Sequence, residues 1–230
     1  MLTRPRKGAN RLERILRILY TSLWPLFRAL IMATVPLALA SFFIGLLIAV
    51  VTALARLSSS KILRGVFYAY VWIFRGTPLL LQLFITFFGL SQLGLALNVW
   101  TASIIALALN TGAYASESVR AAILSIPKGQ WEAAQSIGMN QGTIYRRIIA
   151  PQAARTCIPP LFNTFISLVK DTSLASSITM LEMFMQAQRI AAYYYEPLWL
   201  YIEAGLFYLV VCTLLTALQG RLEKTTSKHI

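Results

Sequence analysis

Polar and apolar positions alternate along the chain in long blocks, with charge confined to short stretches between uncharged runs. Ala29 to Ala55 carries no charge over 27 residues and is bracketed by Arg28 and Arg56. A hydrocarbon core about 30 Å thick is crossed by roughly 20 helical residues, so this block predicts a membrane-spanning helix. Residues 76–116 are uncharged for 41 residues, enough for two spans, and SQLGLALNV at 91–99, with its Gly and Asn, is the expected joint. A fourth block runs from Ile158 to Met180 with Lys170-Asp171 inside it, and a fifth from Pro197 to Gly220 with Glu203 as its one charge. The pattern predicts an all-α integral membrane protein with five transmembrane helices. The stretch ALAS at 38–41 mimics a signal-peptidase site, but the apolar run continues 14 residues beyond it, unlike a cleaved signal peptide.

Ahead of the first span, RLERILRILYTSL (11–23) sets Leu12, Ile15, Leu16, Leu19 and Leu23 at helical spacing, with Arg11 and Arg14 on another face. That suits a helix lying on the membrane surface, or else a span count that is off by one. The expected organisation is a basic amphipathic segment at 1–28, a transmembrane domain at 29–220 with a polar insert at about 125–151, and a tail at 221–230.

Composition narrows the class. Hydrophobic residues make up 57% of the 230 positions, too many for an ordinary soluble domain. The net charge of +13 has no soluble module on which to gather, which argues against nucleic-acid binding and for topology and anionic lipid contact. With five spans, Arg56, Lys61, Arg64, Arg120, Lys128, Arg146, Arg147, Arg155, Arg221, Lys224 and Lys228 share one face. The other face receives Arg189 and the N-terminal Arg4, Arg6, Lys7, Arg11, Arg14, Arg17 and Arg28. Eleven cations against eight put the insert and the C-terminus in the cytoplasm and the N-terminus outside. Cys157 and Cys212 lie in or beside apolar spans, away from metal-site spacing, and the only histidine is His229.

The insert WEAAQSIGMNQGTIYRRIIAPQAAR (131–155) breaks this apolar pattern. Pro127 fits the start of a helix over Lys128 to Ile137, with Ala133, Ala134 and Ile137 along one side, and Gly138 is a natural stop. Thr143 is placed to cap a second short helix, IYRRIIA, ending before Pro151. Composition alone leaves two readings: a cytoplasmic hairpin whose small residues admit another protein, or an amphipathic loop resting on the bilayer. The spacing resembles the EAA loop of ABC importer permeases. Glu132-Ala133-Ala134 is followed by Gly138, Ile148 and Pro151 at that loop's intervals, with Ala150 where the family has leucine. YVWIFRGTPLLLQLFITFFGL (70–90), AYASESVRAAILSIPKGQWEAA (113–134) and LVKDTSL (168–174) resemble the branch importing polar amino acids such as histidine, glutamine, glutamate, arginine and cystine.

The resemblance covers roughly residues 29–220 and implies the type I importer permease fold in a bacterial inner membrane. It also implies a coupling helix docked on a cytoplasmic ATPase dimer, a second identical or similar permease, and an extracytoplasmic amino-acid-binding protein. No Gly-x-x-x-x-Gly-Lys-Ser/Thr phosphate loop occurs, so ATP and Mg are expected on the partner ATPase, and this chain is expected to be no enzyme.

Charges at bilayer depth cost about 2.5–3.5 kcal/mol each and need a reason. Asp171 lies about 20 Å along a helix beyond Ile158. With Thr172 and Ser173 it offers an anion for a substrate ammonium and hydroxyls for its carboxylate; alternatively Lys170 and Asp171 mark a span end and snorkel to water. Glu117 and Arg120, at i and i+3, fit a salt bridge, while Tyr114 and Glu117 remain candidates for a substrate cavity. Arg75 precedes Gly76-Thr77-Pro78, where proline is expected to bend the second span. Glu203 suits a polar lumen or a subunit contact, and Tyr193-Tyr194-Tyr195 with Trp199 an interfacial belt. A proton-coupled secondary carrier using Asp171 or Glu117 is the rival, although no inverted hydropathy repeat is visible. A membrane enzyme is disfavoured by eight scattered carboxylates and one terminal histidine.

Overall fold

The computed structural model describes residues 10–227; Arg4, Arg6, Lys7, Lys228 and His229 lie outside them. Helices account for nearly all of it, and no strand occurs among the described residues. The first helix, α1, runs from Arg11 to Leu57. It is followed by α2 (Lys61–Gly76), α3 (Leu79–Gln92) and α4 (Val99–Leu124). Then come the short α5 (Lys128–Ser136), a long α6 over 141–171, a 3-10 segment at Thr172–Ile178, α7 (Met183–Tyr194) and α8 (Pro197–Ser227).

Two helices, Arg11–Leu57 and Pro197–Lys224, are each long and apolar enough to cross a membrane. The pair α2 and α3, bent by 107°, adds a third if taken as one broken span. The bend falls at Thr77-Pro78, where the proline suggested it. The two remaining expected spans, α4 and the apolar part of α6, are long enough but diluted by Asn110, Thr111, Asn163, Thr164 and Ser167, which turn out to line a cavity. The expected joint holds. The last turn of α3 closes at Leu93-Gly94, Gly94 takes φ +86°, and the Asn98 side chain caps α4 by accepting from Thr101 N–H at 2.9 Å.

Three expectations about helix bounds change. The helix runs unbroken across positions 28 and 29, and at about 70 Å it is far longer than the hydrocarbon core. Residues 11–28 are therefore no separate surface helix. They bury Ile15, Ile18, Ser22 and Leu26 against α7 and α8, whereas Leu12, Leu16 and Leu23 stay exposed. The fourth span does not reach Met180: the α-helix ends at Asp171 and tightens into 3-10 turns. The second helix of the insert does not stop before Pro151 either. A widened π turn, Tyr145–Ile149, precedes that proline and carries the helix on, as Leu30–Thr34 does before Pro36. Proline lacks an N–H and its ring presses on the carbonyl four residues back; a wider turn relieves both faults.

The bundle is built around α1 and α4. Ser41, Gly45, Ala49 and Ala53 of α1 lie buried against Ala108, Thr111, Gly112 and Ala115 of α4. A Cβ on Gly112 would come within 2.8 Å of Ile48 Cγ2, and one on Gly45 within 3.0 Å of the Ala108 carbonyl oxygen. Beside this seam, fully buried Glu182 ties three helices together. Its carboxylate caps α7, accepting from Phe184 N–H at 2.9 Å and Met185 N–H at 2.6 Å, and accepts from the Tyr208 hydroxyl of α8 at 3.0 Å. Thr34 of α1 receives the Met183 N–H at 3.1 Å. Glu203, expected in a lumen or at a subunit contact, instead accepts from the Ser22 hydroxyl at 2.5 Å inside the chain.

Glu182→Ala should destabilise the assembled protein by about 3 kcal/mol, because one buried hydroxyl and two helix N–H groups lose their acceptor together. Thermal melting of the purified complex measures this, with Glu182→Gln losing less than half as much. An unchanged midpoint for the alanine variant would contradict the clamp.

Candidate substrate cavity and coupling loop

The break between α2 and α3 leaves backbone carbonyls without helical partners, and inside a bilayer they must be satisfied by protein. Two amides do so. Gln82 Nε2 donates to Phe74 O at 2.9 Å and Thr77 O at 3.1 Å, while Asn110 Nδ2 donates to Gln82 Oε1 at 3.0 Å and Phe74 O at 3.3 Å. The break thus becomes a rigid shelf.

Over that shelf opens a cavity of about 460 Å³, walled by Thr77, Pro78 and Leu79 at the break, Asn110, Thr111 and Tyr114 of α4, and Asn163, Thr164, Ser167, Leu168 and Asp171 of α6. Its volume falls in the range typical of small-molecule sites. Asp171 is the one acidic lining residue, accompanied by neutral amide and hydroxyl groups. The Thr164 hydroxyl is already engaged, donating to Pro160 O at 3.0 Å. Of the expected substrate residues, the structure brings Asp171 and Tyr114 to this wall and leaves three elsewhere. Thr172 is buried with its hydroxyl on Val169 O at 2.7 Å, and Ser173 donates to Lys170 O at 2.7 Å. In the 3-10 turns that follow Asp171 these two side chains turn away, and Leu174, three residues on, returns to the wall.

Glu117 is not a lining residue. Its Oε1 accepts from Arg56 Nη1 at 2.7 Å and Arg75 Nη1 at 3.2 Å, and its Oε2 from Arg120 Nε at 3.3 Å. The i,i+3 pair with Arg120 was legible in spacing; the arginines from α1 and α2 were not. Arg75 in turn lies over the Tyr114 ring, 5.2 Å from its centroid. Asn110, Asn163 and Ser167 were missed, although each is a polar residue in an otherwise apolar run, which is the only trace they leave in sequence.

The insert folds as a compact hairpin. Gly138 takes φ +75°, its N–H bonds to Gln135 O at 2.9 Å, and Met139 N–H reaches back to Ala134 O at 3.1 Å, so α5 ends where glycine placed the stop. The second helix is capped by Asn140, not Thr143: Asn140 Oδ1 accepts from the Thr143 N–H and hydroxyl, both at 2.9 Å. The expected alanine face is split. Ala134 is buried with Ile144, Ile149 and Ala153, whereas Glu132, Ala133 and Ile137 point outward, Ile137 being 76% exposed. Ile148 is half-buried against the same cluster and Pro151 is exposed.

Residues 41–228 match the family described as binding-protein-dependent transport system inner membrane component. The chain belongs to that family of ABC importer permeases. Its similarity to the L-cystine transport system permease protein TcyB of Bacillus subtilis is 48% identity over 210 residues, 91% of this chain and 90% of that one. The nopaline transport system permease protein NocM of Agrobacterium fabrum is 39% identical over 217 residues, 90% of each chain. The crystal structure of an amino acid ABC transporter with histidines contains a chain of the same fold, with TM-score 0.84, 34% identity, and coverage of 95% of this chain and 99% of that one. The permease is therefore a multi-pass inner-membrane protein.

Packing separates the two alanines of the loop experimentally. Ala134→Leu should cost the permease about 1–3 kcal/mol, because the added bulk meets Ile144 and Ile149, whereas Ala133→Leu should stay within about 0.5 kcal/mol. Equal melting of the two variants would contradict this orientation of α5.

Proposed function

We propose that this permease carries polar amino acids inward through the cavity at the α2–α3 break, driven by a separate ATPase. What carries the reading is the composition of that cavity, a single carboxylate among neutral amides and hydroxyls within an apolar bundle. A zwitterionic substrate needs an anion for its ammonium and neutral donors for its carboxylate. Asp171 supplies the first, and Asn163, Ser167 and Tyr114 the second. The relatives' names point the same way, since they refer to L-cystine, nopaline and arginine.

The exposed Glu132, Ala133 and Ile137, with Gly138 and Pro151 beside them, form the surface offered to a cytoplasmic ATPase dimer, which holds ATP and Mg. Ala134 and Ile148 brace that surface from behind. The loop face and the C-terminus are cytoplasmic and the N-terminus lies outside. A second permease, identical or similar, completes the pathway, and an extracytoplasmic binding protein delivers the substrate.

Vesicles holding the whole complex test the reading with labelled L-cystine, competed by unlabelled L-arginine, L-histidine and L-leucine. Polar amino acids should compete and L-leucine should not. Asp171→Asn should lower uptake roughly tenfold or more at unchanged protein level, the loss expected of one charge-assisted hydrogen bond. Full uptake by that variant would remove the substrate role. Ile137→Glu should leave the permease folded in the membrane while ATP hydrolysis no longer responds to substrate; a normal response would remove the ATPase contact.

A further inference from the structure

The end of the bundle that carries the coupling loop holds a second recess, of about 320 Å³, lined by Arg56, Arg64, Gly65, Tyr68 and Arg120. It shares no lining residue with the substrate cavity. Arg56 comes from the last turn of α1, Arg64 to Tyr68 from the first turns of α2, and Arg120 from the last turns of α4.

No carboxylate lines the recess. Glu117 lies behind it, taking one bond from Arg56 at 2.7 Å and one from Arg120 at 3.3 Å. A guanidinium has five N–H donors, so each arginine keeps donors for a ligand. Arg56 is further held over the Tyr68 ring, 5.8 Å from its centroid. Arg64 makes no ion pair with any described residue, and a Cβ on Gly65 would meet open space. With Arg75 also on Glu117, three arginines share one carboxylate, and Arg64 adds a fourth positive charge beside them. This excess of positive charge, in a recess walled by helix ends, favours an anion.

The neighbouring surface indicates which anion. On the face of α2 that carries Arg64, Tyr68 is 61% exposed and Trp72, one turn further on, is 69% exposed. A soluble phosphate gains nothing from such flanks, whereas an amphiphile lays its chains there. We propose that this recess binds the phosphate headgroup of an anionic phospholipid in the leaflet on the coupling-loop side. The guanidinium groups hold the phosphate oxygens, Gly65 leaves room for them, and the acyl chains run along Tyr68 and Trp72. The proposal needs only that the chain lies in a bilayer, and its readout does not involve transport.

The test is native mass spectrometry of the purified complex, titrated in parallel with phosphatidylglycerol and phosphatidylcholine. The unaltered complex should retain phosphatidylglycerol in preference. Arg64→Gln should lower that retention about fivefold, the effect of one cation near an anionic headgroup. Gly65→Leu, which fills the recess at constant charge, should lower it comparably, and it decides the matter alone if Arg64→Gln does not assemble. Unchanged retention by the variants, or equal retention of the two lipids by the unaltered complex, would overturn the proposal. Displacement of phosphatidylglycerol by inorganic phosphate at equal concentration would overturn it in favour of a soluble phosphate.

Discussion

Everything in this permease is hung on the close approach of α1 and α4. Lipid tails are as apolar as leucine, so no hydrophobic force drives two helices together inside a bilayer; close backbone contact and dispersion must do it. Ser41, Gly45, Ala49 and Ala53 on one helix, and Ala108, Thr111, Gly112 and Ala115 on the other, provide that closeness. At Gly112 even one extra carbon would meet Ile48 Cγ2 at 2.8 Å. Because α1 and α4 are so tightly joined, the less regular pieces (the broken α2–α3 pair, the 3-10 segment and α7) can be arranged around a fixed wall.

That wall makes the cavity possible. A helix interrupted at bilayer depth exposes carbonyls that nothing in lipid can satisfy. Asn110 projects from α4 and, with Gln82, takes up Phe74 O, while Gln82 also takes up Thr77 O. The same residue that satisfies the break also lines the cavity. One amide thus both satisfies the backbone and shapes the cavity, which explains why the span that holds it is less apolar than a simple membrane anchor such as α8.

Features that depend on local chemistry were legible in the sequence, and those that depend on distant partners were not. Gly138 announced the end of α5 because a left-handed residue there is a backbone matter, and Pro78 announced the bend for a similar reason. The long uncharged runs announced membrane helices, though not which helices would be diluted by cavity residues. Pro151 misled because a proline's cost depends on the turn before it, and a π turn absorbed that cost. The stripe Leu12, Leu16, Leu23 misled because in a membrane protein an apolar face is as readily lipid-facing as packed; the packed face is the neighbouring Ile15, Ile18, Ser22, Leu26. Glu117 had the spacing for Arg120, but its bonds to Arg56 and Arg75 join residues 61 and 42 positions apart. No window along the chain contains them.

The loop and the cavity, far apart in purpose, are two ends of one element. Buried Ala134 rests on Ile144 and Ile149 in the first turns of α6, and the helix then runs on to Asp171. At 1.5 Å per residue that is about 45 Å of continuous helix. A displacement of α5 is therefore delivered to the start of a rod whose last residue is the cavity's carboxylate. The rod is softened at its π turn and at Pro159-Pro160, so it can bend at those points while its two ends stay rigid. One helix thus joins the surface loop to the cavity between the helices. The small side chain at 134 matters for the same reason: it sets how closely α5 is seated on the rod.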